Sequence, residues 1–256
     1  MNPEKFAFAV GAAVFVGGSL GLILHRVLPD KHITGGGKDM IGAVVGLLTL
    51  LSALVLGLLI WTAYGVYAGQ NVAIQTLAAK ALQYDLALSD YGPEANGPRA
   101  QLREGLGKTI DEIWGANESD ANFVANNFAA SIHNQKARDA TLAALHPTTD
   151  AQTQALASAK ATVDAIAQSR LQMSFALAAP ICIPLILIVV VWATLLFLGY
   201  GLMSGGGVTS FVAVAAGALA VASAAYIILD LSSPYSGLFR VSSAPLEQVL
   251  AVMGKE

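Results

Sequence analysis

The stretch MIGAVVGLLTLLSALVLGLLIWTAYGVYA, residues 40–68, carries no charged side chain from end to end. A bilayer core about 30 Å thick needs about 20 apolar residues at a helical rise of 1.5 Å each, so this segment is long enough to cross one. Three further runs read the same way: FAFAVGAAVFVGGSLGLIL (6–24), LQMSFALAAPICIPLILIVVVWATLLFLGYGLM (171–203) and GVTSFVAVAAGALAVASAAYIIL (207–229) also lack charge. The pattern predicts four membrane spans, at about 6–24, 40–68, 174–203 and 207–229. The apolar run of the first exceeds a signal-peptide core, and no A-x-A site precedes His25 and Arg26. It is therefore read as an uncleaved anchor.

Composition supports this. Hydrophobic residues make up 55% and charged residues 12% of the chain, against about 25% charged in soluble domains. A net charge of −3 gives no reason to expect a nucleic-acid partner. The single cysteine, Cys182, lies in an apolar stretch, which leaves no disulfide framework and no thiolate metal site.

Between the hairpin of residues 1–68 and that of 171–230 lies the one sizeable polar region, 69–170. It is rich in Ala, Leu, Gln and Asp and poor in β-branched residues, which favours helix. The second span is expected to run on through 71–90 until Gly92-Pro93 and Gly97-Pro98 break it. Further helices are expected over 99–114, ended by Gly115–Asn117, and over about 120–145, stopped before Pro147. Another starts at the capping box of Thr149 and Gln152 and runs through Arg170. In the tail, 231–256, Pro245 after Ser242-Ser243 suggests a short amphipathic helix over 244–253. The first loop, His25–Asp39, turns at Pro29 and Gly35–Gly37, and the last hairpin turns at Ser204–Gly207. The fold class is thus all-α: a polytopic membrane protein with four transmembrane helices and a helical bundle inserted between the second and third.

With four spans, both termini and the inserted bundle share one side. Lys5, Lys80, Lys160, Arg170 and Arg240 lie near the membrane on that side, against Arg26, Lys31 and Lys38 on the other, a small excess that points it to the cytoplasm. The expected location is the inner (plasma) membrane. Trp61, Tyr64 and Tyr67 would form an aromatic belt where span two leaves the bilayer.

Spans without ionisable residues argue against proton-coupled transport, voltage sensing and pumping. They also hold no aspartate pair, Ser/His set or HExxH motif for intramembrane proteolysis. Ala13, Gly17 and Gly21, and likewise Ala216, Ala220 and Ala224, have the small-xxx-small spacing of close helix packing, expected within the chain. Pro180 and Pro184 are expected to kink span three. The stripe Leu47, Leu51, Leu54, Leu58 either faces lipid or, in a ring of subunits, forms an apolar constriction. In the polar region His133 and His146 stand alone. Asp111 and Glu112 are adjacent and so diverge on a helix, Asp120 and Lys136 read as solvated, and Trp114 reads as a core anchor. No catalytic, metal or cofactor site is expected.

The run ILDLSSPYSGLFRVSSAPLEQVL, 228–250, resembles the closing signature of the bestrophin-like family of bacterial membrane proteins, at Asp230, Pro234, Tyr235, Gly237, Arg240, Ser242 and Pro245. DEIW (111–114) resembles its acidic-Trp pair, and Arg170 its arginine ahead of the second hairpin. Bestrophins proper are pentameric anion channels with four spans and cytoplasmic termini, whose second helix supplies an apolar neck. The resemblance therefore implies a homo-oligomeric channel, conducting an anion such as chloride; the calcium-binding acidic cluster of bestrophins has no residue-by-residue match here, so no calcium requirement is expected. The competing expectation is a non-conducting membrane scaffold whose helices in 69–170 bind a partner. Asp230 and Arg240, ten residues apart across a proline-glycine turn, are expected either to pair and pin the tail or to be solvated separately.

Overall fold

The computed structural model describes residues 3–28, 36–115, 135–178, 183–204 and 207–254. Among them every regular element is helical: α1 (Pro3–Val27), α2 (Gly36–Tyr91), a 3₁₀ turn (Pro93–Ala95), α3 (Asn96–Trp114), α4 (Gln135–Ala143), α5 (Asp150–Ala178), α6 (Ile183–Met203), α7 (Val208–Leu231) and α8 (Ala244–Met253). Four of these, α1, α2, α6 and α7, are long and apolar enough to cross a membrane. The first loop's Pro29 and Gly35, and Asp120, His133, Pro180 and Cys182, lie outside the described residues, as does the whole first half of the helix expected over about 120–145.

The chain divides into two compact units, residues 1–65 with 181–232, and residues 66–180 with 233–256. Helix α2 contributes to both. At 1.5 Å per residue its 56 residues reach about 84 Å, far more than one bilayer core, so only its apolar first half serves as the span.

In the first unit α1 packs along both α6 and α7. The approach to α6 is closed by glycine: a Cβ on Gly21 would stand 2.2 Å from the Leu198 carbonyl oxygen, and one on Gly201 2.5 Å from that of Gly18. Any larger residue would force the backbones apart. The expected pair Gly17 and Gly21 is therefore in this contact, while Ala13 is exposed. On α7 the buried small residues are Ala218 and Ala225, not Ala216 and Ala220, which are exposed. Uniformly apolar helices give no sequence signal to fix that register. His25 Nδ1–H donates to the Leu202 carbonyl at 2.8 Å, joining the ends of α1 and α6. Helix α2 lies on α6 where Val45 fills the notch left by Gly199.

The second unit is built on two helical seams. Along α2, Tyr67, Gln70, Ile74, Leu77, Ala81, Tyr84, Leu88 and Tyr91 alternate steps of three and four residues and face the core. Along α5, Leu156, Ala159, Val163, Ile166, Arg170, Met173 and Leu177 do the same. This is the spacing that keeps one stripe of a helix on its neighbour. The two run antiparallel: Gln70 Nε2 donates to the Met173 carbonyl (3.3 Å), Lys80 Nζ to Ser169 Oγ (2.6 Å) and the Ala165 carbonyl (3.0 Å), and Gln152 Nε2 to the Tyr91 carbonyl (3.2 Å).

The breaks follow local chemistry. Gly92 takes φ 113°, a conformation that favours glycine, ahead of Pro93. Thr149 Oγ1 accepts from the Gln152 amide at 3.2 Å, and Gln152 Oε1 accepts from the Thr148 amide at 2.9 Å. The expected box is thus made, with its return bond one residue upstream. Of the span expected over about 174–203, the described parts are the end of α5, to Ala178, and α6, from Ile183.

Candidate functional site

Taking about 100° per residue, the buried residues of α2 in the first unit, Val45, Ser52, Leu59 and Ala63, share one narrow stripe. Leu47, Leu51, Leu54 and Leu58 lie about 180–240° further round, on the opposite side. They are 58%, 38%, 68% and 52% exposed. The four leucines singled out from sequence thus form a continuous apolar face that stays exposed among the described residues. Trp61, 71% exposed, extends it and stands 6.4 Å from the ring of Tyr64. The belt residues therefore coincide with the boundary at Gly65 between the two units.

The C-terminal signature residues, with Trp114, build a structural knot in the second unit. Tyr235 is buried, donates to Gln70 Oε1 at 2.9 Å and meets Trp114 edge to face at 5.7 Å. Trp114 Nε1 donates to the Val241 carbonyl at 2.8 Å, and the Val241 amide returns to the Pro234 carbonyl at 2.8 Å. Gly237 sits in the turn at φ 84°, where a side chain would be strained. Arg240 Nη2 donates to the Ile113 and Trp114 carbonyls, both at 3.1 Å, placing its charge at the C-terminal end of α3 where the helix dipole favours a cation. The pairing expected with Asp230 is not the contact that these bonds describe. Asp230 itself is buried at the end of α7. Pro245 opens α8, which turns Leu246, Val249 and Met253 inward and packs on α3. Burial lifts the Tyr235 phenol far above its usual range near 10, and burial pushes Tyr84 up to about 12.

Two features of this unit escaped the sequence reading. Asp85, buried on α2, is held by both arms of Arg99, Nε to Oδ1 and Nη2 to Oδ2, each at 2.9 Å. Its signal was an aspartate beside the apolar seam with an arginine just past the Gly-Pro break. Arg170, taken as a flanking charge, lies in the α5 seam itself, where an apolar residue is the rule. The alanine-rich composition of α5 hid which of its faces is the core. His146 is exposed. Among the described residues no three His, Cys, Asp or Glu side chains come together as a metal site.

Fold and site define a multi-pass, all-helical membrane protein, built of an apolar helical unit and a second unit closed by the C-terminal knot. A model of the Bestrophin-like domain matches residues 11–246, nearly the whole chain, and the protein belongs to that family. Comparison with curated proteins and with solved structures returned no match.

Proposed function

We propose that the protein is a homo-oligomeric, bestrophin-like anion channel in which α2 lines the pore. Leu47, Leu51, Leu54 and Leu58 form its apolar constriction and chloride is the conducted ion. The carrying observation is the leucine face itself. It lies opposite the stripe on which α2 is packed, leaving it for a surface outside the chain. A ring of copies turns such faces toward one axis, where an apolar constriction gates by dewetting. Membership in the Bestrophin-like family supports the same arrangement, and a pentamer is the number carried by bestrophins proper. The protein sits in the inner membrane with its second unit and both termini in the cytoplasm.

The test is chloride efflux from liposomes holding the purified protein, against empty vesicles. Wild type is expected to release chloride, and Leu51→Ala or Leu54→Ala to raise the initial rate several-fold by widening the constriction. Well-folded, inserted protein that conducts no better than empty vesicles would transfer the assignment to a scaffold acting through its extramembrane helices.

A further inference from the structure

Where α6 ends and α7 begins, the first unit opens into a cleft of about 500 Å³, a size usual for small-molecule sites. Its lining changes character along the helices. Away from the helix ends it is apolar, with Leu22 of α1, Phe197 of α6, and Val214 and Gly217 of α7. A Cβ on Gly217 would stand 2.2 Å from the Phe197 ring, so only glycine lets that ring close on α7. Toward the helix ends the lining turns to hydroxyls: Tyr200 and Ser204 on one side, Thr209 and Ser210 on the other. From Phe197 to Ser204 the helical rise covers about 10 Å, and from Gly217 back to Thr209 about 12 Å.

The hydroxyls keep bonding capacity. Ser204 Oγ and Ser210 Oγ stand 2.5 Å apart, so one donates to the other. The accepting serine still holds its own proton, and both hold lone pairs. The Tyr200 hydroxyl lies 3.4 Å from Thr49 Oγ1, whose proton goes to the Val45 carbonyl at 2.8 Å, so Thr49 makes no claim on the phenol's lone pairs. None of the described lining residues is charged, and the two residues between Ser204 and Gly207 are glycines. A charged head group would therefore lose water in the cleft without meeting a counter-charge. A wholly apolar occupant would waste the hydroxyls at the mouth. With 21 and 24 residues, α6 and α7 are each long enough to cross a bilayer core, which puts their ends at its surface. The cleft thus runs from hydroxyls at the membrane surface to hydrocarbon inside, the same order in which a lipid carries its head and chain.

We infer that this cleft binds a neutral glyceride, a lipid whose aliphatic chain lies against Phe197 and Val214 while its glycerol hydroxyls exchange hydrogen bonds with Ser204 and Ser210. The site is separate from the leucine face of α2 and holds whether or not the membrane helices conduct.

The experiment places full-length protein in phosphatidylcholine vesicles containing mono-oleoylglycerol with a photoreactive diazirine on its acyl chain, and maps the labelled peptides by mass spectrometry. Wild-type labelling within residues 197–217 is expected to saturate as the mole fraction of analogue rises, and unlabelled mono-oleoylglycerol should displace it. Ala213→Leu adds bulk to the cleft from an exposed position and should abolish the saturable labelling. Ser204→Ala/Ser210→Ala should need about tenfold more analogue for half-saturation, the loss of the serine hydrogen bonds. If that double variant does not fold, Ala213→Leu carries the test. Displacement by oleate or phosphatidylglycerol but not by mono-oleoylglycerol would overturn the neutral head group and give the cleft to an anionic lipid. Labelling that never saturates, or that neither variant changes, would overturn the site and leave the cleft as ordinary lipid-facing surface. Labelling seen only after the oligomer is dissociated would overturn it too, as a contact between copies of the chain.

Discussion

Tyr235 shows how one residue holds a chain end. Its ring meets Trp114 edge to face and its hydroxyl reaches Gln70, a polar residue set in the apolar seam of α2. Removing the hydroxyl in Tyr235→Phe leaves the buried Gln70 Oε1 without that donor, which costs about 1–3 kcal/mol. A lowered Tm in detergent with unchanged helix content by circular dichroism is the expected result. The same residue sets an alkaline limit. Burial raises its folded pKa, so the neutral phenol is favoured in the native state. The stability this represents is complete below the unfolded value near 10 and is lost as pH climbs through the folded value. Tyr84, pushed up to about 12, acts in the same sense. Stability followed by base titration should fall above about pH 10, and less steeply in Tyr235→Phe. Tyr235, Trp114 and Arg240 could all be named from sequence. That Arg240 caps α3 could not, because 126 residues separate it from the Trp114 carbonyl.

At the scale of the element, helix identity follows from composition and punctuation, while helix partnership does not. Gly92-Pro93 ends α2 and Thr149 starts α5 because glycine conformation, proline's missing N–H and a side-chain cap act within a few residues. The ion pair between α2 and α3 depends on how those helices fold back. Asp85 is almost fully buried with both oxygens satisfied by Arg99. Arg99→Ala leaves that carboxylate without the guanidinium inside the unit and should destabilise by about 3–5 kcal/mol. The double change Asp85→Leu/Arg99→Met should recover most of the loss, since well-packed apolar replacements of buried pairs are often neutral or better. Denaturation of the two variants in parallel measures both. A double variant as unstable as the single one would mean that the pair fixes the turn at Gly92 rather than merely neutralising a charge.

On the scale of the whole molecule, the exposed leucine face meets either lipid or, in the proposed channel, further copies of the chain. Native mass spectrometry from detergent should show a single closed oligomer rather than monomer. Leu54→Cys near the axis should give a disulfide-linked dimer on mild oxidation, whereas Val72→Cys, exposed on the second half of the same helix, should not. That four helices are long and apolar enough to cross a membrane, and that every regular element among the described residues is helical, was legible in the sequence. Charge is excluded from hydrocarbon, and a backbone there must bond to itself. Which face of each span packs was not legible, because lipid and helix neighbours are equally apolar and no polar side marks the outside. Nor was the place of Arg170 in the core. Only the pairing of α2 with α5 turns that position inward, and a guanidinium that reads as a flanking charge becomes a buried one once its neighbours close over it.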